Sequence, residues 1–225
     1  MIKTIIFDLD GVLVDTKKIH FLALNKALNE IEKYKITYQD HLRVFDGLPT
    51  NKKIEILLSK KKIKKKNVKK INNLKQTFTG QILKKEIRYN EKIEKLFIKL
   101  KKKFKIGIAT NSINQTLELC LKSLKIKKYV DFSISTNQLK FGKPHPEIYL
   151  RCLINLESKP SETLVLEDSY YGRIAAKEAN CRLMPIKYLS DVNYNNIINY
   201  IKEMTEENKI INKKNWEDPK LNILI

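Results

Sequence analysis

Short, unbroken apolar runs that end in polar or acidic residues recur along the chain. Residues 3–7 (KTIIF) lead into DLDG, and 104–110 (FKIGIAT) lead into Asn-Ser. Residues 163–166 (TLVL) lead into Glu167-Asp168-Ser169. Two shorter candidates are 131–135 and 182–186 (RLMPI). A continuous run without polar alternation predicts a parallel strand buried on both faces. Helical spacing separates the later runs, at 115–125, 146–156 and 171–179, with Pro146 suited to a first helical turn. The order β-α-β-α-β after residue 100 predicts a parallel sheet wrapped by helices.

Between the first two strands lie about 90 residues with little strand character. Helical periodicity shows at 19–31, 52–58 and 67–87, too much for a simple crossover. The expected organisation is therefore a doubly wound α/β core from 1–14 and 89–225, with a separate helical domain at 15–88. The inserted segment nets +13, against +7 for the remainder, and 60–70 (KKKIKKKNVKK) is its one low-complexity stretch. The tail, 208–225, is polar and then apolar at 221–225; it either packs on the core or stays mobile.

Composition changes this picture little. A net charge of +20 and a pI near 9.7 invite a nucleic-acid reading. Lysine, however, supplies 40 of the 45 basic residues, and recognition by geometry favours arginine. The 30 Ile and 20 Asn beside those lysines point to compositional drift in an A/T-rich genome. No specific nucleic-acid partner is expected. No apolar run approaches the ~18–20 residues that cross a bilayer, so no membrane partner is expected either. The opening MIKTIIFDLDG holds acidic residues inside its apolar stretch, unlike a secretory leader. Cys120, Cys152 and Cys181 are widely spaced, which fits reduced thiols in a cytoplasm.

Four groups carry candidate chemistry. Asp8 and Asp10 flank Leu9 at the carboxyl end of the first strand, where open α/β sheets place ligands. One carboxylate can act as nucleophile and the other as acid/base if a cation relieves their repulsion; the alternative is a tight hairpin turn at Asp10-Gly11. Glu167 and Asp168 follow another strand and offer hard oxygens to magnesium; the alternative is that Asp168 or Ser169 caps the 171–179 helix. Thr110-Asn111-Ser112 either holds a phosphate or is ordinary loop chemistry. Lys143, set between Gly142 and Pro144, is either a fixed point charge for a phosphoryl oxygen or one more surface lysine.

Taken together, DLDGV at 8–12, TNS at 110–112, GKPHPEIY at 142–149 and LEDS at 166–169 resemble the four motifs of the haloacid dehalogenase-like hydrolases. The opening FDLDGVLVDT followed by His20 is similar to the β-phosphoglucomutase and phosphoglycolate-phosphatase branch. The resemblance implies a Rossmann-like core with a helical cap. It implies Asp8 as nucleophile and magnesium ligand, and Asp10 as general acid/base whose carbonyl also binds the metal. Thr110, the Asn111 backbone and Lys143 then bind phosphate, while Asp168 binds magnesium with Glu167 assisting. Dehalogenation is not implied, because members of that kind lack the second aspartate.

In the cap, the resemblance points to His20, Gly47 and Lys75 on the substrate side. The arginine with which mutases hold a second phosphate has no clear counterpart; Asn51, Lys52 or Lys53 occupies that stretch. Tyr89-Asn90-Glu91-Lys92 replaces the branch's usual Pro-Gly. The expectation is a monomeric, magnesium-dependent phosphatase for a small phosphorylated metabolite, a sugar or polyol phosphate. The rivals are a phosphoglucomutase-type enzyme and a basic nucleic-acid-binding module with a vestigial site.

Overall fold

The structure, a computed structural model, describes residues 1–45, 48 and 50–206, without the side chains of 205 and 206. The tail at 208–225 lies outside the described residues. Five strands form one sheet: β1 (Thr4–Phe7), β2 (Lys105–Thr110), β3 (Phe132–Ser135), β4 (Thr163–Glu167) and β5 (Arg182–Pro185). All pair in parallel in the order β3-β2-β1-β4-β5, so the chain reverses direction across the sheet beside β1.

The strands are unbroken apolar runs because both faces are covered. Ile5 and Phe7 of β1, Ile106 and Ile108 of β2, and Leu164 and Leu166 of β4 point to one face. There they meet α5 (Glu91–Lys101), α6 (Asn114–Ser123) and α9 (Tyr194–Glu206) through Phe97, Leu117 and Ile197. Phe7 and Phe97 stack at 5.1 Å between ring centroids. Ile6, Ala109 and Val165 point the other way, onto α7 (Glu147–Asn155) and α8 (Tyr170–Glu178) through Ile148, Cys152 and Ala175. Each large apolar side chain fully buried in this way contributes ~1.5–3 kcal/mol.

The segment between β1 and α5 is helical: α1 (Lys17–Glu32), a short α2 (Tyr38–Asp40) running into a π turn at His41–Phe45, α3 (Thr50–Ser59) and α4 (Val68–Glu86). It has its own apolar cluster, with Leu24, Leu28, Phe45, Ile54, Leu57 and Ile71 at its centre. Ile19, Leu83 and Ile87 instead join the cluster on the sheet, which ties both ends of the insertion to the core. Ile63, inside the lysine-rich stretch, is buried in the insertion's cluster, while every lysine of 60–70 is exposed. The three cysteines are free and buried, and burial pushes the Cys120 and Cys181 thiols up to about 12. No helix among the described residues is long and apolar enough to cross a membrane.

Candidate active site

The carboxyl ends of β1, β2 and β4 lie side by side. Register pairs Phe7 with Ile108 on one side and Leu166 on the other, which sets Asp8 level with Ala109 and Glu167. The Asp8 N–H donates to the Leu166 carbonyl at 3.0 Å. Lys143, only 2% exposed, reaches into this row. Its Nζ donates to Asp8 Oδ1 (2.7 Å), Glu167 Oε2 (2.7 Å) and the Ala109 carbonyl (2.9 Å). Asn111 fixes the lysine from behind, accepting from the Lys143 N–H at 3.0 Å and donating to its carbonyl at 3.3 Å. Lys143 is therefore a placed charge, not one more solvated lysine.

Asp10 is gripped on both oxygens. Thr16 Oγ1 (2.5 Å) and His20 Nε2 (3.1 Å) meet Oδ1; Thr110 Oγ1 (3.0 Å) and Ser112 Oγ (2.8 Å) donate to Oδ2. Burial works against ionisation here, but these partners, His20 foremost, hold the carboxyl below its usual range. The hairpin alternative for Asp10-Gly11 does not hold, since β1 pairs in parallel with β2 and β4, though the chain does turn tightly here. Gly11 has φ +86, and its N–H donates to the Val14 carbonyl at 2.7 Å. A Cβ there would stand 2.1 Å from Asp168 Oδ2, so glycine makes room for that carboxylate.

Burial raises the Asp8 carboxyl well above its usual range; the charge of Glu167 adds to this, and Lys143 opposes it. Lys143 itself is held high despite burial, by Asp8 and Glu167. Asp8, Glu167 and Asp168 each offer an oxygen, all within 4.8 Å of one another, a hard donor set that suits magnesium. The three are not equivalent. Glu167 Oε2 takes Lys143 and the Tyr149 hydroxyl (2.7 Å), while Oε1 accepts from Ser169 Oγ (2.7 Å) and N–H (3.1 Å). With protein donors on both its oxygens, Glu167 serves as an anchor for Lys143, and Asp8 and Asp168 are the better placed for a metal. The helix-cap reading falls to Ser169, whose side chain accepts from the Gly172 N–H.

From the insertion, His20 on α1 and Lys75 on α4 reach this site. Lys75 Nζ lies 3.4 Å from His20 Nδ1. Burial, then the Lys75 charge, pushes the imidazole down. An ammonium only donates, so Nδ1 accepts and Nε2 carries the proton given to Asp10. Lys75 is itself pushed down to about 7 by burial and by the charge of Lys53, a second buried lysine. Gly47 lies outside the described residues. Thr16 and Tyr149, quoted without a role in the sequence reading, grip Asp10 and Glu167, and Ser112, Ser169 and Lys53 take partners that reading did not give them. All five lay within motifs or stretches already quoted, and their partners in the fold give them these places.

Residues 5–186 match the family model described as haloacid dehalogenase-like hydrolase. A phosphorylated carbohydrates phosphatase of Thermotoga maritima is 35% identical over 181 residues, which span 79% of this chain and 81% of that protein. A pyrophosphatase of Bacillus mycoides is 27% identical, over 83% of this chain and 84% of its own. Among solved structures, a β-phosphoglucomutase from Clostridium difficile superposes with a TM-score of 0.76 at 26% identity, covering 92% of this chain and 98% of that one. With both sheet and motifs inside the matched span, the chain belongs to the haloacid dehalogenase-like hydrolases.

Proposed function

We propose that this chain is a magnesium-dependent phosphatase that hydrolyses a small phosphorylated metabolite, a sugar or polyol phosphate, through an aspartyl-phosphate on Asp8. The observation that carries the reading is the buried Lys143–Asp8 contact beside the gripped Asp10 at one strand end. A carboxylate of Asp8 attacks phosphorus while the ester oxygen leaves with a proton from Asp10. Asp10 then takes a proton from water as that water attacks the phosphoryl group, releasing phosphate and restoring Asp8. Lys143 and the turn at Thr110 and Asn111 steady the phosphoryl oxygens. Magnesium, held by Asp8, the Asp10 carbonyl and Asp168, would neutralise charge that one lysine cannot offset.

The 35% identity to a phosphatase for phosphorylated carbohydrates supports the substrate class. We place the cap at 15–88 over a core of 1–14 and 89–225, with His20, Lys75 and Gly47 on the substrate side. The protein acts as a cytoplasmic monomer without a specific nucleic-acid partner. The fold likeness to a β-phosphoglucomutase favours one rival, transfer of phosphate from Asp8 back to a sugar.

The test is a phosphate-release screen with magnesium over sugar phosphates, polyol phosphates, phosphoglycolate, pyrophosphate and β-glucose 1-phosphate, run beside Asp8→Asn. The reading expects release from a sugar or polyol phosphate, abolished in a folded Asp8→Asn. Isomerisation of β-glucose 1-phosphate without release would replace it with the mutase. Release by Asp8→Asn at the wild-type rate would remove Asp8 as nucleophile.

A further inference from the structure

One charged group at the site has no part in this chemistry. Lys17 is the first residue of α1, and its Nζ lies 3.3 Å from Asp168 Oδ2. The lysine side chain is 43% exposed and the carboxylate 7%, so of the two partners the lysine is the one that borders solvent. A lysine in a first turn opposes the helix dipole, and no acidic residue in that turn compensates it. The compensating charge comes from across the site, at the end of β4. Next to it, Thr16 and His20 make the two contacts from the same stretch of chain onto Asp10. The start of α1 thus holds the core through two carboxylates.

We propose that Lys17 is an internal competitor for the metal position: its ammonium holds Asp168 Oδ2 until a divalent cation claims that oxygen, then swings into solvent. This rests on the reading of Asp168 as a metal ligand. An ammonium and a divalent cation on one carboxylate oxygen repel each other, and the long exposed side chain is the partner that yields. Two consequences follow. Lys17 weakens the apparent affinity for magnesium, and metal binding releases one of the contacts between the first turn of α1 and the core.

The experiment is calorimetric titration of magnesium chloride into wild type, Lys17→Gln, Lys17→Arg, Lys18→Gln and Asp168→Asn. Lys18 is the exposed neighbour, so its loss changes the net charge equally. Lys17→Gln should bind magnesium about two- to fivefold more tightly, the range expected for a partly exposed ion pair. Lys17→Arg should behave like wild type, and Lys18→Gln should shift affinity less than Lys17→Gln. Unchanged or weaker binding in Lys17→Gln, or an equal gain in Lys18→Gln, overturns the proposal while the site reading stands. Wild-type binding in Asp168→Asn removes the site reading and the proposal with it.

Discussion

The Tyr149 hydroxyl donates to Glu167 Oε2 at 2.7 Å, and that same oxygen accepts from Lys143 Nζ. Both side chains are fully buried. Lys143 is therefore held by a carboxylate that is itself held, by Tyr149 on one oxygen and Ser169 on the other. Burying Glu167 costs several kcal/mol unless its lone pairs are met, and here they are. The tyrosine touches no reacting atom in this arrangement; it positions the group that positions Lys143.

Tyr149→Phe keeps the ring and removes that donor. A lost hydrogen bond to a buried charge should lower stability by ~1.5–3 kcal/mol, read as a shift in the urea midpoint at unchanged slope. Lys143 keeps Asp8 and the Ala109 carbonyl, so kcat should fall by no more than about tenfold, equivalent to ~1.4 kcal/mol, with KM little moved. Stability and kcat both at wild-type level would show that the hydroxyl does not hold Glu167.

Two glycines in helices should respond oppositely to alanine. A Cβ at Gly172 would lie 2.0 Å from the Glu167 carboxyl carbon, whereas at Gly80 in α4 it would meet nothing within 4 Å. Gly80→Ala should stabilise by ~0.5–1 kcal/mol through helix propensity, with activity unchanged. Gly172→Ala should destabilise by ~1–3 kcal/mol and reduce turnover, because the anchor of Lys143 must shift. Equal thermal midpoints for the two variants would contradict the assigned crowding.

The sheet was legible because burial on both faces leaves parallel strands as unbroken apolar runs, and all five appear within a residue or two of their expected bounds. Besides the three-residue α2, two helices were not. In α5 the apolar positions Ile93, Leu96, Phe97 and Leu100 sit among lysines, and Asn90 caps the helix where the branch has Pro-Gly. In α9 the asparagine-rich sequence hid the face that carries Ile197. The strand-end carboxylates announced themselves by position. Lys143 joined them only through the resemblance, since Lys143 and Asp8 are 135 residues apart and only the fold brings them together. Composition concealed the burial of Lys53 and Lys75: the resemblance singled out Lys75, but among 40 lysines nothing local marks either as buried.

Lys75 makes stability depend on pH in a defined sense. In water its pKa is 10.5, and burial with the Lys53 charge brings it to about 7 in the folded chain. Below pH 7 both states hold the proton, and the full cost of the buried charge is present. Between the two values the unfolded chain binds a proton that the folded chain has released, so stability rises with pH. Relative to Lys75→Met, wild type should gain up to ~1.4 kcal/mol per pH unit from about pH 7 towards 10. Urea denaturation of both proteins at pH 6, 8 and 9.5 reads the difference. A difference constant across that range would mean that Lys75 keeps its charge in place.

In the proposed reaction Asp10 gives a proton and later takes one, while its surroundings hold it as the carboxylate. Thr16, His20, Thr110 and Ser112 all stabilise the carboxylate, so a proton can be held there only when some of them withdraw. Thr16 and His20 stand together at the start of α1, outside the sheet, and are the pair able to leave as one. A sugar alkoxide needs that proton in order to depart; an aryl phosphate carries a better leaving group and does not. Asp10→Asn should therefore lower turnover of a sugar phosphate by ~10²–10⁴-fold and that of an aryl phosphate much less. The measurement is kcat on both substrates for wild type and variant at one pH. Equal losses would leave Asp10 as base alone and take the protonation of the leaving group away from it.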